Sequence, residues 1–445
     1  MGNIIFKRKL YSRLLEWKNR RQGGTAILVE GARRVGKSTV VEHFAKNEYE
    51  SYILIDFNRA SQDICVLFDD LTNLDDIFMR LQQHYHTILK PRQSLIIFDE
   101  VQKCPMARQA IKYLVADGRY DYIETGSLIS IKKNTNNITI PSEEERVDMY
   151  PMDYEEFRWA LGDGATVPLL RQFYEGKKPL GASHRKVLRD LRLYMLVGGM
   201  PQAVLSYLET NNLSLVDQVK RDILNLYIDD FQKIDPTGNA ERLFLNIPAQ
   251  LSSNISRYQP YPVVGDKSGE KMAELLQALA ESKTTLFCHH CTDPMVGMSL
   301  YKDLSRYKIY LADTGLFVTS CFWDKEYTEN IIYNKLLSDK LEANLGYVYE
   351  NLVAQMLASS GNKLFYYTFP KDEKHNYEID FLLSRGNKIV PIEVKSSGYR
   401  THKSLDVFCE KYSPRIGDRI LIYTKHYQQD GQTQCIPFYM TPLLE

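Results

Sequence analysis

The stretch AILVEGARRVGKST, residues 26–39, decides how the rest of the chain is read. The apolar run Ala26–Val29 predicts a short buried strand, and Lys37-Ser38-Thr39 open a helix that continues through VVEHFAKN. Between strand and helix, Gly31 and Gly36 bracket Ala32, Arg33, Arg34 and Val35, with Lys37, Ser38 and Thr39 following directly. Glycines at that spacing let the backbone wrap a phosphate, and the N–H groups of the loop and helix start point at the anion. Lys37 supplies a point charge to the terminal phosphates, and the Ser38 hydroxyl is placed to ligate Mg²⁺. The expectation is a nucleoside-triphosphate site.

Working outward, LIIF at 95–98 reads as a second buried strand ending in Asp99-Glu100. Triphosphate hydrolysis needs one acid to hold the metal's water shell and a group to orient the attacking water. Asp99 suits the first role and Glu100 the second. A further strand, YIET at 122–125, leads into Gly126-Ser127, where the Ser127 hydroxyl is a candidate γ-phosphate contact and equally an ordinary strand-ending turn residue. Strands near 26–30, 52–56, 95–98 and 122–125 with helical segments between them predict an α/β module, an open parallel sheet covered on both faces. No guanine-reading N-K-x-D follows the core strands, so ATP is preferred over GTP.

The bulk numbers add little but exclude some classes. The chain has 445 residues, 44% apolar and 25% charged, as expected of a soluble globular protein of two or three domains. Lys plus Arg and Asp plus Glu are equal at 56 each, so a nucleic-acid partner has to be met by a local patch. Seven scattered cysteines point to a reducing compartment. The opening MGNIIFKRKLYSRLLEWKNRR carries no signal-peptide or spanning run, and Phe6 sits where myristoylation wants Ser or Thr. The expectation is a cytoplasmic protein without a membrane partner.

Near the other end, EIDFLLSRGNKIVPIEVKSS at 378–397 predicts a β-hairpin turning at Gly386-Asn387. That register sets Asp380 opposite Glu393 and Glu378 opposite Lys395, with Ile379, Phe381 and Leu383 on the other face. Opposed carboxylates repel. The Glu378–Lys395 pair satisfies itself, leaving Asp380 and Glu393 in need of a cation, for which Mg²⁺ or Mn²⁺ on hard oxygens is the simplest candidate. Lys395, on the same face, is a candidate to orient or deprotonate a water. The alternative is a solvated polar face in another register. Lys388, Lys395, Arg400, Lys403, Lys411 and Arg415, interleaved with Tyr399 and His402, supply local basic surface.

The middle of the chain is helical from His184 to about Gln232, punctuated by Gly198-Gly199 and Pro201. Residues 240–300 read as a small winged-helix unit: helices near 240–253 and 269–281, then the strand-like runs TTLFCHH and MSLYK. The second helix carries Glu270, Glu274 and Glu281 against Lys271, which favours packing or oligomerisation over DNA. Cys288-His289-His290-Cys291 has no second ligand pair, and neighbours on a strand face opposite ways, which argues against zinc.

These pieces together resemble a prokaryotic (archaeal and bacterial) AAA+ type ATPase family with a C-terminal winged helix and PD-(D/E)XK nuclease-like domain. The resemblance is carried by the phosphate loop, RVDMYPMDYEEF at 146–157, LVGGMPQAV at 196–204, ADTGLF at 312–317, VYENLVA at 348–354, and the EIDFLL and PIEVKSS strands. It implies a metal-ligating role for Glu350 beside Asp380 and Glu393, and an arginine-finger role for Arg146. Arg146 also reads as a surface residue balancing Glu143–Glu145, and Glu145 stands where the family has glycine. The implied domains are a P-loop AAA+ parallel-sheet domain at 1–165, a helical lid and winged-helix region at 166–300, and a nuclease-like α/β domain at 301–445. The resulting expectation is an ATP-hydrolysing protein whose nucleotide state controls a Mg²⁺-dependent domain acting on DNA or RNA, with a homo-oligomer allowed. The alternative is a nucleotide-driven switch whose C-terminal domain is a binding or assembly platform.

Overall fold

The computed structural model describes residues 4–126, 141–253, 255–265, 268–323, 337, 346–396 and 401–444. They form two compact units: Met1–Tyr150 with Glu281–Lys283, and Pro151–Ala280 with Thr284–Glu445.

The first unit is built on five parallel strands, β1 (Ala26–Glu30), β2 (Ser51–Asp56), β3 (Ser94–Asp99), β4 (Asp121–Gly126) and β5 (Glu144–Asp148), in the order β2-β3-β4-β1-β5. β1 and β3 are buried at every residue, as their unbroken apolar runs require of central strands covered on both faces. Helix Lys37–Glu48 buries Val40, Val41, Phe44 and Ala45, a stripe at helical spacing. The other face is closed by a core in which Leu28, Ile55, Phe98 and Tyr122 meet Ile111 and Leu114 of helix Pro105–Asp117. The expected open parallel α/β sheet is present, with β5 as one further strand.

The second unit carries a mixed eight-stranded sheet. Its strands are β6 (Thr285–Cys291), β7 (Lys302–Leu311), β8 (Phe365–Pro370), β9 (Asn376–Arg385), β10 (Lys388–Val394), β11 (Arg419–Tyr423), β12 (Gln428–Asp430) and β13 (Thr433–Pro437), ordered β12-β13-β11-β10-β9-β8-β6-β7. This order corrects the expected boundary at residue 300. Of the two runs read as a wing, TTLFCHH largely forms β6, whereas MSLYK is a 3-10 turn, Met298–Tyr301, that only leads into β7. The β6–β7 hairpin is part of the C-terminal sheet, because β6 pairs in parallel with β8 through His289–Phe365 and His290–Tyr366. The larger sheet thus satisfies backbone groups along part of the free edge of β6. The helix expected near 240–253 is two short helices, Asn239–Leu245 and Ile247–Ser252, broken where Pro248 begins a new first turn. The first boundary also moves, from 165 to Tyr150, since Asp153 and Glu156 form a capping box (2.9 and 3.1 Å) that starts helix Tyr154–Ala160 within the second unit.

The helical part of this unit explains two motifs that carry no chemistry. Gly199 lies so close to Met152 that a Cβ would fall 2.0 Å from its carbonyl oxygen, and the Gly199 N–H donates to Asp313 Oδ2 at 2.6 Å. Asp313 also caps helix Thr314–Cys321 through Leu316 N–H (2.8 Å). Lys220, fully buried, donates to the carbonyls of Leu196 (2.6 Å) and Gly315 (3.1 Å). LVGGMP and ADTGLF are therefore two halves of one buried polar junction, legible only after folding.

Candidate functional site

The phosphate loop takes the shape its glycines permit. Gly36 stands at φ 97° immediately before helix Lys37–Glu48, in the left-handed region that L side chains rarely enter, and a Cβ on Gly31 would meet the Met149 carbonyl at 2.4 Å. Ala32 and Val35 are buried, and the Val35 carbonyl is anchored by Arg8 Nη1 at 2.7 Å. Lys37 is 5% exposed, with Nζ over the loop carbonyls of Gly31 (3.0 Å) and Ala32 (3.1 Å). Burial lowers its pKa, with Glu100 and Asp99 acting in the opposite sense.

Behind the loop the acids lie where the strand ends put them. Ser38 Oγ donates to Asp99 Oδ1 at 2.7 Å, and Thr125 Oγ1 donates to the same oxygen. Glu100, next in chain, holds φ 56° and ψ 48°, an unusual conformation for a side-chain-bearing residue. Its N–H donates to Thr125 Oγ1 (3.2 Å), and its carboxylate takes Gln102 Nε2 at 2.5 Å. Thr125 and Gln102 were not singled out from sequence. Thr125 closes an apolar strand next to the expected Ser127, and its position one residue before the strand-ending glycine was the available signal. Ser127 lies outside the described residues. Arg146 is in β5, its guanidinium 3.0 Å from Glu144 and 3.9 Å from Glu30, with its side chain 46% exposed. Within one chain it is engaged by these acids, which fits the charge-balancing alternative.

In the second unit the expected hairpin register holds. Arg385 pairs with Lys388 across Gly386-Asn387, and the ladder runs on to Phe381 opposite Ile392. Beyond that the pairing departs from expectation. The Val394 N–H donates to Asp380 Oδ2 at 2.7 Å, while β10 turns to β11. Lys395 pairs with Glu393 at 2.6 Å, and not with Glu378. Glu378 is instead bound by Lys308 of β7, Nζ to Oε1 at 2.6 Å, and the same ammonium lies 2.7 Å from Glu350 Oε1.

The carboxylates of Glu350, Glu378 and Asp380 each bring an oxygen within 4.8 Å of the others. This corrects the expected ligand set, in which Glu393 stood where Glu378 does. Helix Gly346–Ser359 delivers Glu350, and β9 delivers the other two on one face. Burial raises the Asp380 pKa well above its ordinary value, reinforced by Glu350, and burial raises Glu378 as well, with Lys308 opposing. Glu393 is buried beside this group, and its Oε2 has no hydrogen-bond partner among the described residues. Three close hard oxygens with a fourth, unpartnered buried carboxylate oxygen nearby are a donor set that fits a hard divalent cation. Lys308 and Tyr310 were missed in the sequence; RYKIYL places both on one face of a strand, an inward-facing lysine being the signal.

The expected basic patch is largely engaged. Lys388 donates to the Pro414 carbonyl (2.6 Å), Arg415 pairs with Asp293, and Lys411 lies over the Phe369 and Tyr412 rings. Tyr399 and Arg400 lie outside the described residues. Cys288 and Cys291 belong to no close His/Cys/Asp/Glu group among the described residues. No helix among the described residues is long and apolar enough to cross a membrane.

A parallel sheet with a phosphate loop after its first strand, and acids at the end of the third, defines a P-loop nucleotide-binding domain. Residues 24–158 match the family described as AAA domain, which makes this segment an AAA-type ATPase domain. Residues 188–326 and 345–441 match two families described as domains of unknown function, DUF8612 and DUF4143. No curated protein matches the chain. Among solved structures, the Walker-type ATPase PABY2304 of Pyrococcus abyssi is 15% identical with a TM-score of 0.43, the match covering 71% of this chain and 96% of that one. The Aeropyrum pernix ORC1 protein, solved in complex with DNA, is 11% identical at a TM-score of 0.29, over 76% and 94%. The ORC2 protein of the same organism, in its ADP form, is 11% identical at 0.30, over 77% and 98%. All three scores lie below one half.

Proposed function

We propose that the chain binds and hydrolyses ATP with Mg²⁺, and that its nucleotide state controls a divalent-metal site in the C-terminal unit that acts on DNA or RNA. The observation that carries the first half is the web joining Ser38, Asp99 and Thr125 directly behind Lys37. A triphosphate draws Lys37 from the loop carbonyls onto its terminal oxygens, and the loop N–H groups and helix start hold the anion. Ser38 and Asp99 are the residues to hold Mg²⁺, which supplies charge neutralisation on the phosphates. Glu100, held by Gln102 and Thr125, orients the attacking water. The exposed part of Arg146 is then available to a neighbouring copy's nucleotide in a homo-oligomer.

For the second half, Glu350, Glu378 and Asp380 would hold Mg²⁺ or Mn²⁺, which would polarise a phosphodiester and lower the pKa of a bound water. Lys395 lies one residue beyond the strand that carries Glu393 and is 40% exposed, so it is available to position a water or phosphate. A second reading, a non-catalytic platform moved by the ATPase, is supported by Lys308, which already bridges two of the acids. The test is Mg²⁺- and Mn²⁺-dependent cleavage of single- and double-stranded DNA and RNA, with and without ATP, by wild type, Lys37→Ala and Asp380→Ala. Cleavage absent in Asp380→Ala and altered in Lys37→Ala is the expected result. ATP hydrolysis with no cleavage of any substrate would leave the platform reading, and absence of hydrolysis would overturn both.

A further inference from the structure

The cation already present at the C-terminal carboxylates bears directly on how a metal would reach them. Glu350 Oε1 accepts from Lys308 Nζ at 2.7 Å and from the Tyr310 hydroxyl at 2.5 Å. A carboxylate oxygen offers two lone-pair directions, so this one is already occupied by two donors. Glu378 Oε1 takes the same ammonium at 2.6 Å. Lys308 is 5% exposed, so its charge is neutralised by these acids and not by solvent.

We propose that Lys308 is a built-in competitor for the divalent ion, its ammonium bridging Glu350 and Glu378 and leaving them when a metal binds. The proposal rests on the metal reading of this site. Three features support displacement over coexistence. A doubly charged cation against the trio would stand within a few ångströms of the ammonium, in a buried place where repulsion between like charges is weakly screened. Two of the three carboxylates an incoming metal would use are already held through Oε1, Glu350 by Lys308 and Tyr310 and Glu378 by Lys308. Glu393 Oε2, buried and unpartnered, is a further oxygen beside the trio that the lysine does not use. Within the sheet β7 pairs with β6 alone, so Lys308 is carried by an edge strand, the kind of element that yields most readily to a local shift. The site then has two cation-held states, one held by lysine and one by metal, and its apparent affinity is set by the exchange between them.

The experiment is titration of the nucleotide-free full chain with MnCl₂ by calorimetry, for wild type, Lys308→Met, Lys308→Arg and Asp380→Asn. It is paired with acetylation footprinting of Lys308 in the wild type with and without Mn²⁺. Lys308→Met is expected to bind Mn²⁺ at least about tenfold more tightly than wild type, and Lys308→Arg no more tightly. Asp380→Asn should lose the binding, and acetylation of wild-type Lys308 should rise as Mn²⁺ saturates. Binding that depends on Asp380 but gains nothing from Lys308→Met, with Lys308 equally protected throughout, would overturn the competition and leave the metal reading standing. Absence of Asp380-dependent binding in both wild type and Lys308→Met would overturn the metal reading itself. Should Lys308→Met fail to fold, the wild-type footprint decides alone.

Discussion

The two candidate sites are built in opposite ways. The nucleotide site is one contiguous stretch whose loop backbone makes the binding surface, with acids added from the neighbouring strand ends. The carboxylate site is gathered from β7, helix Gly346–Ser359 and β9, with β10 alongside, and it concentrates buried like charge that the fold must hold together. Backbone sites cost little stability and are fixed by local sequence. A site made of converging charges is costly, and here the Lys308 ammonium offsets only part of that cost. The lesson is that each should fail differently when altered.

The largest effect is expected at Lys37. Lys37→Ala should lower kcat/KM for ATP by about 10³-fold, since the charge aimed at the transferred phosphoryl is lost. Mn²⁺ binding at the C-terminal site, measured without nucleotide, should remain at the wild-type level. Equal loss at both sites would mean that they are not separable. Next comes Asp380→Asn, expected to weaken Mn²⁺ binding by about 10²-fold while ATP turnover stays within roughly twofold of wild type. The same variant should melt at a higher temperature than wild type in metal-free buffer, because it removes a half-buried carboxyl that stands against Glu350, Glu378 and Glu393. A lower melting temperature would show that the acids are a structural network in their own right. Smaller still is Gln102→Ala, expected to reduce kcat for ATP by about fivefold with KM unchanged, since Gln102 only holds the Glu100 carboxylate.

The same contrast explains what could be read in advance. The P-loop module was legible because its motif is contiguous and its strands are unbroken apolar runs, so β1, β3 and β4 emerged with their acids in place. The β9–β10 hairpin was legible from Gly386-Asn387 and strict alternation. What sequence did not carry was the partner of each acid. Glu378 was assigned to Lys395 because the ideal ladder was extended three pairs beyond Phe381–Ile392, where it ends. In the structure a side chain, Asp380, takes the Val394 N–H, and Glu378 finds a lysine from a strand about 70 residues earlier. The place of the β6–β7 hairpin in the larger sheet was missed for a related reason. A hairpin's own pattern does not say which sheet it joins, and β6 pairs with β8 across more than 70 residues of chain. Local periodicity fixes elements; long-range pairing fixes partners.

The smallest expected effect separates two strands of the C-terminal sheet, β6 and β9, by pH. His289 and His290, on β6 of the C-terminal sheet, both have pKa values lowered to about 4, chiefly by burial. His290 is stacked at 13° on Tyr367 and lies 3.2 Å from Thr368 Oγ1, so its ring is held within the packed sheet. Both groups are depressed in the folded state, so between the unfolded value near 6.5 and the folded value the unfolded chain binds more protons. The stability they contribute is complete above about pH 6.5 and is lost as pH falls toward 4. Allowing for the partial solvent access of both rings, the loss is about 1 kcal/mol per histidine. The carboxyls of Asp380 and Glu378 act in the other direction. Their raised values mean that the folded state keeps its protons longer, so their contribution improves as pH falls. Acid therefore weakens the sheet at β6 while relieving it at β9. Hydrogen exchange across the pH 6.5 to 4 range should show protection falling in β6 ahead of β9. Replacing His290 with Gln should flatten the β6 response, and an unchanged pH dependence in that variant would remove the histidine from the account.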